Sequence, residues 1–265
     1  MMREAILRIY VAVIAILMVL PVAVVLATSL TPEAFLQFPP DGFSLRWYQA
    51  VAADDEWGAA LLTSLQVGAL VTSFSLVIGV PAALGLHASG GARVAALQVL
   101  LLSPLMIPSL VVGLALLRLY ASYGLPASLV SVALGQTVIA TPYVVRFVLA
   151  SLVGVDPSLE RAARILGGGR IRTFRKITLP LIRHGIIAGA IFSFIVSLDD
   201  VNIALFLSDI HVTPLSVQLL NYVQQSADPL GAAVASLLVI IAFILIVVCD
   251  RIVGIDWLFG IRKAN

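Results

Sequence analysis

Charge is scarce in this chain. Of 265 residues, 16 are Lys or Arg and 14 are Asp or Glu, so charged side chains make up 11%. A soluble domain of this length needs more charge to cover its surface. Cysteine is scarcer still: Cys249 stands alone in an apolar run, which excludes an internal disulfide. Lysine occurs only at Lys176 and Lys263, and neither lies in a Gly-x-x-x-x-Gly-Lys-Ser/Thr stretch. The chain therefore has no phosphate-cradling loop of that kind, and any nucleotide it depends on must sit on a partner. His87, His184 and His211 are dispersed and share no metal-ligand spacing. No nucleophile–base arrangement stands out either, so an enzyme is the least favoured reading.

Apolar sequence is what the chain has. Hydrophobic residues make up 61% and the mean hydropathy is +1.09. The apolar runs are continuous and about 20 residues long, as a helix needs to cross the hydrocarbon core. A transmembrane barrel would show short alternating segments instead. The predicted fold is all-α and polytopic, with six transmembrane helices. They are placed at residues 5–30, 61–86, 96–120, 127–153, 181–207 and 230–249. The first run follows Arg3 and Arg8 and is longer than the apolar core of a cleaved signal, so it reads as a retained span. Pro81, Pro104, Pro108 and Pro142 lie within spans, and taken singly each reads as an ordinary kink. No internal repeat or linker divides the chain, so residues 1–265 are read as one domain.

The few cations are unevenly placed, and their placement sets the expected orientation. Seven of the 16 Lys and Arg residues fall between Arg161 and Arg183. The segment 31–60 has Arg46 beside Glu33, Asp41, Asp54, Asp55 and Glu56. The segment 208–229 has Asp209 and Asp228 and no Lys or Arg. Arg251, Arg262 and Lys263 close the chain. Both termini and the basic loop 156–180 are therefore expected on the cytoplasmic side, with the two acidic loops opposite. Phe43, Trp47, Tyr48 and Trp57 suit a membrane–water interface. Residues 215–225, LSVQLLNYVQQ, read as a short helix at the outer surface.

Asp156-Pro157 is a good helix start, an acceptor at the N-cap followed by proline. Leu159, Ala162, Ala163 and Leu166 recur at helical spacing, and Gly167, Gly168 and Gly169 stop the helix. Ile171, Phe174 and Ile177 support a second short helix, which Leu179-Pro180 is expected to break. An amphipathic helix on anionic headgroups would explain the arginines. It would not require small residues beside a glycine elbow.

The pattern Glu-x-Ala-Ala-x-x-x-Gly, nine residues, Ile-x-Leu-Pro resembles the cytoplasmic loop of bacterial ABC importer permeases. Ala162, Ala163, Gly167, Ile177, Leu179 and Pro180 match at the family's spacing. The family's glutamate directly before the alanines is replaced by Arg161, and Glu160 stands one place earlier. One residue is a turn of about 100° along a helix, so the two positions do not share a contact. FSLRWY, TSLQVG, TPYVVRF and SLDD are similar to the subgroup serving spermidine/putrescine importers. Permeases for iron(III) and other small solutes share much of this. The resemblance implies a type I importer fold and an inner-membrane subunit moving a small solute, with polyamine as the leading solute. It implies that Glu160, Arg161, Ala162, Ala163, Arg164 and Gly167 couple to cytoplasmic ATP-binding subunits. The implied partners are those subunits, a second permease chain (a heterodimer rather than a homodimer), an extracytoplasmic solute-binding protein and the bilayer. No nucleic acid, metal or cofactor is implied. A self-sufficient secondary transporter and a non-transporting scaffold are the rival readings.

Asp199 and Asp200 stand within an apolar run, where carboxylates are expensive and default to a functional role. With Asn202 they are the candidates for a pathway or gate. In a continuous helix Asp199 and Asn202 would share a face and Asp200 would point elsewhere. A helix–helix hydrogen-bonding site is the competing reading. Gln136, Thr137 and Thr141 are weaker candidates, and Arg146 reads as an inner-end anchor.

Overall fold

The computed structural model describes residues 2–89, 91–153 and 155–254. Arg262 and Lys263 of the expected cytoplasmic tail lie outside the described residues. In chain order the helices are α1 (Met2–Thr28), α2 (Arg46–Ala53), α3 (Asp55–Ala88), α4 (Ala92–Leu102), α5 (Ser109–Ser122) and α6 (Leu129–Val153). They continue as α7 (Pro157–Ile165), α8 (Arg170–Thr173), α9 (Leu179–Asp199), α10 (Asn202–Leu207), α11 (Leu215–Gln225) and α12 (Leu230–Val253). No named strand occurs among the described residues, which confirms the all-α class. Among the described residues five helices are long and apolar enough to cross a membrane, or up to six if a bent pair counts as one span.

That bent pair corrects the third expected span. Residues 96–120 do not form one helix: Ala92–Met106 and Ser109–Ser122 meet at 99°. Ile107 is extended, with φ −93° and ψ 131°, immediately before Pro108. The residue before a proline is pushed out of the α region, and Pro108 has no N–H to continue the ladder. Here proline ends a helix, and the reading as an ordinary kink fails. Pro81 and Pro142, by contrast, lie inside continuous helices.

The chain divides into two compact units, residues 1–61 with 217–243, and residues 62–216 with 244 onward. In the first, α1 exposes Leu7, Ile9 and Met18, a surface suited to lipid and not to water. In the aromatic loop Trp47 and Trp57 are buried against the unit's own residues. Trp47 donates its indole N–H to the Glu33 carbonyl at 3.2 Å. Trp57 packs edge-on against Tyr222 with ring centroids 5.4 Å apart. The Tyr48 hydroxyl sits 2.7 Å from Ser29 Oγ and 2.6 Å from Ser236 Oγ. Each polar aromatic finds a partner inside the unit, which makes burial favourable. Phe43 remains 83% exposed.

In the second unit, α6 and α9 pack along their lengths. A Cβ on Gly185 would stand 2.5 Å from the Phe147 carbonyl oxygen, and one on Gly189 would stand 3.0 Å from Val144 Cα. Glycine at these two positions lets the backbones approach, as helices in lipid often require. Ala83 and Leu86 of α3, Val144, Val145, Val148 and Leu152 of α6, and Ile182 of α9 form one buried cluster. A second joins Ala188 of α9 to Cys249 and Val253 of α12. This packing holds the N-terminal half of α9, and the polar features below are placed at its two ends.

Candidate functional site

The Asp156 carboxylate starts α7 by accepting from the Ser158 N–H at 2.8 Å. That bond, first among its influences, holds the Asp156 carboxyl below its ordinary value, with Arg161 adding in the same sense. The helix stops at Gly167, whose φ of +83° suits a residue without Cβ. Gly168 N–H donates to the Ala163 carbonyl at 2.9 Å and Gly167 N–H to that of Arg164 at 3.0 Å. This bond pair is a Schellman stop, and it satisfies carbonyls that the helix end would orphan.

The chain beyond the elbow differs from the sequence reading. Leu179-Pro180 does not break it: Arg170–Asp199 runs as one 30-residue helical stretch. A π turn over Phe174–Thr178 lies immediately before α9, with Leu179 N–H donating to the Phe174 carbonyl. In an unbroken α-helix the Pro180 ring would press on the carbonyl four residues back. The wider turn relieves that clash, so the helix continues. The fifth span therefore starts earlier than residue 181.

Glu160 turns inward. Thr178 Oγ1 donates to Glu160 Oε1 at 2.5 Å, and Arg164 Nη2 lies 3.6 Å from Oε2. Arg161, Ala162, Arg164 and Gly167 are exposed, while Ala163 is half-buried. The most exposed apolar side chains here are Ile165 at 85%, Leu166 at 86% and Ile171 at 77%. A cavity of about 580 Å³ lies behind the elbow, lined by Leu84, His87, Leu152, Arg161, Arg164, Arg170 and Phe174 among others. The sequence marked Leu166 and Ile171 as helix-forming positions and did not single out Ile165, and it gave none of the three as exposed. Their signal was bulk hydrophobicity beside a glycine stop, where a turn is normally polar.

At the other end of α9 the structure separates the candidate pathway residues. The helix ends at Asp199, and Asp200 is extended with φ −71° and ψ 111°. Asp199 and Asn202 therefore do not share a helix face. Asp199 is exposed. Asn202 is exposed and donates from Nδ2 to Ser109 Oγ at 2.7 Å. Asp200 is buried, and its Oδ2 accepts from Gln136 Nε2 at 3.1 Å and from the N–H groups of Ile203 and Ala204 at 3.2 and 3.1 Å. Ser197 donates to Gln136 Oε1 at 2.5 Å, and Ser216 donates to the Asp200 carbonyl at 3.0 Å. The carboxylate thus ties α6, α9 and α10 together at a helix break. Ser197 and Ser216 were missed, because serine in an apolar run carries little signal of its own. Thr137 and Thr141 bond to backbone carbonyls of their own helix, and Arg146 is exposed. No cluster of His, Cys, Asp or Glu able to hold a metal occurs among the described residues.

Residues 75–255 match the family described as binding-protein-dependent transport system inner membrane component. The putrescine permease PotI of Escherichia coli is 32% identical over 74% of this chain and 73% of its own. The spermidine/putrescine permease PotC of Haemophilus influenzae is 26% identical over 80% of this chain and 82% of its own. The molybdenum permease ModB of Escherichia coli is 39% identical over 57% of this chain and 71% of its own. Among solved structures, a bacterial ABC transporter importing alginate gives a TM-score of 0.68 at 14% identity, with 95% of each chain covered. The MetNI methionine ABC transporter gives 0.61 at 21%, covering 73% of this chain and 93% of the other. The chain belongs to the binding-protein-dependent transport permeases: it is a multi-pass inner-membrane subunit of an ABC importer and not an enzyme. Such permeases work with ATPase subunits and binding proteins, which sets aside a self-sufficient transporter.

Proposed function

We propose that this permease carries a small organic cation of the polyamine class into the cytoplasm, and that the α7–α8 elbow seats its ATPase. The observation that carries the coupling role is the elbow's exposed face. Ile165 and Leu166 project from the end of a short, firmly capped helix, and Ile171 from α8 beyond its glycine stop, beside Arg161 and Arg164. Exposed apolar side chains on a rigid support, rimmed by charge, are what a docking surface needs. Residues 156–180 then face the cytoplasm, as the cation distribution requires, with both termini on that side.

The solute class rests on PotI and PotC, whose names give putrescine and spermidine, and on charge. The two loops expected outside the cytoplasm carry Glu33, Asp41, Asp54, Asp55, Glu56, Asp209 and Asp228 against Arg46. That balance draws in cations. Asp199 and Asn202, exposed at the end of α9 and the start of α10, are proposed to border the route. A second permease chain, different from this one, completes it, and the whole chain works as one transport domain. The similarity to ModB favours a second reading, a molybdenum-containing solute.

Uptake by the assembled importer in proteoliposomes tests this. Labelled putrescine or spermidine accumulates with ATP, and molybdate and ferric iron do not. Accumulation of molybdate alone overturns the polyamine assignment. An ATPase that co-purifies with wild type but is lost on Leu166→Glu supports the elbow as its seat, and retention with normal uptake rejects it.

A further inference from the structure

We infer that Glu160 acts inside this chain, as a strut between the coupling elbow and the fifth span, and not as a contact with the ATPase. The inference rests on the elbow being the ATPase seat. It concerns how movement there reaches the membrane.

The helix α7 has two backbone connections, and neither transmits force well alone. Upstream lies the extended Asp156. Downstream lies a glycine run in which Gly167 adopts φ +83° and no atom stands within 4 Å of where a Cβ on Gly167 or Gly169 would be. A helix held only by two such joints would rotate when pushed, and α9 would not follow. The Thr178–Glu160 bond closes the elbow into a triangle with three sides: α7, the arm from Arg170 to Thr178, and the bond itself. Its length is 2.5 Å and it links residues 18 apart. A hydroxyl donating to a carboxylate is among the stronger hydrogen bonds.

Where the strut lands decides its role. Thr178 is 4% exposed, the last residue of the π turn, and adjoins Leu179, the first residue of α9. From there α9 continues against α6 to the break at Asp199 and Asp200. The π turn interrupts the α-helical ladder of that stretch, as such single turns inside α-helices do. The strut bridges it from outside. A second, longer contact, Thr173 Oγ1 to the Gly168 carbonyl at 3.5 Å, braces the corner of the triangle. Arg164, at 3.6 Å, keeps Glu160 charged company on the solvent side without occupying Oε1. A glutamate engaged in this way is turned toward its own chain. The partner is left to Arg161, Ile165 and Leu166, which explains how an arginine can stand directly before the two alanines while the loop keeps its shape.

Two readouts test the strut. The first is a nitroxide on Ile165→Cys, with Cys249→Ala, in the full chain in nanodiscs without ATPase. Thr178→Val and Glu160→Ala are expected to raise label mobility, and Thr178→Ser to restore it. The second is solute imported per ATP hydrolysed by the complete importer. It should fall about tenfold in either disruptive variant, the loss expected for one charge-assisted hydrogen bond. The double variant should be no worse than either single one, and Thr178→Ser should keep the wild-type ratio. Unchanged label mobility in Thr178→Val overturns the strut. So does a wild-type transport ratio in Thr178→Val, or loss of the ATPase from Glu160→Ala alone, which would make Glu160 a partner contact. A wild-type chain that retains no ATPase rejects the elbow as its seat, and the label readout then still decides the strut.

Discussion

Three adjacent glycines at the elbow make different demands on a side chain. Gly167 has φ +83° and open space around it, so alanine there meets no atom but takes a conformation costing about 1–2 kcal/mol. Gly168 lies where a Cβ would come 2.7 Å from the Ala163 carbonyl oxygen, a backbone atom that cannot step aside. Gly169 has φ −63° and nothing within 4 Å. Alanine substitution should therefore loosen the elbow at Gly167 and Gly168 and leave Gly169 near wild type. Protease sensitivity of the loop in membranes would rank them, and equal sensitivity would refute the assignment. Acid acts at the opposite end of α7. Because the folded Asp156 carboxyl lies below its ordinary value, its contribution to α7 is complete above the unfolded value of 3.8 and is lost as pH falls through the lower, folded one. Amide exchange at Ser158 should thus rise as pH drops below about 4 relative to Asp156→Asn, after correction for intrinsic rates.

Helices were legible in the sequence where composition alone dictates them, and illegible where a neighbour decides. The stop at Gly167 could be read directly, since glycine runs end helices wherever they occur. The continuation through Pro180 could not, because it depends on a π turn that no residue type announces. Likewise Ile107 and Pro108 gave notice of a bend but not of 99°. The Glu160–Thr178 bond left no trace, because a glutamate and a threonine 18 residues apart announce no contact. Gly185 shows the same limit at the level of packing. In sequence it is one apolar-helix glycine among several, yet a Cβ there would meet the Phe147 carbonyl and Ser151 Oγ, both at 2.5 Å. Gly185→Ala should force α6 and α9 apart and cost about 1–3 kcal/mol. Gly85→Ala, with nothing within 4 Å, should be neutral or gain helix propensity. Thermal unfolding of the two variants in one detergent checks the difference, and equal midpoints would mean that α6 and α9 do not depend on that close approach.

For the importer as a whole, the two adjacent carboxylates separate a transport role from a structural one. Asp200 gives its charge to Gln136 and to the first N–H groups of α10, all buried. Removing it in Asp200→Ala leaves those donors without an acceptor, at about 1–3 kcal/mol for each buried group left unpaired. Folded protein should fall, with uptake falling only in proportion to it. Asp199 is exposed at the end of α9, where its charge can meet a passing solute. Asp199→Asn keeps the shape and removes the charge that would offset a desolvated cation. It should lower polyamine uptake several-fold, with unfolding temperature and ATPase retention at wild-type values. The decisive comparison is uptake per folded importer, measured for both variants in the same membranes. A fall for Asp199→Asn but not for Asp200→Ala places Asp199 on a cation route. Wild-type uptake per folded Asp199→Asn importer removes it from that route, and takes away the part of the polyamine assignment that rests on this chain's own residues.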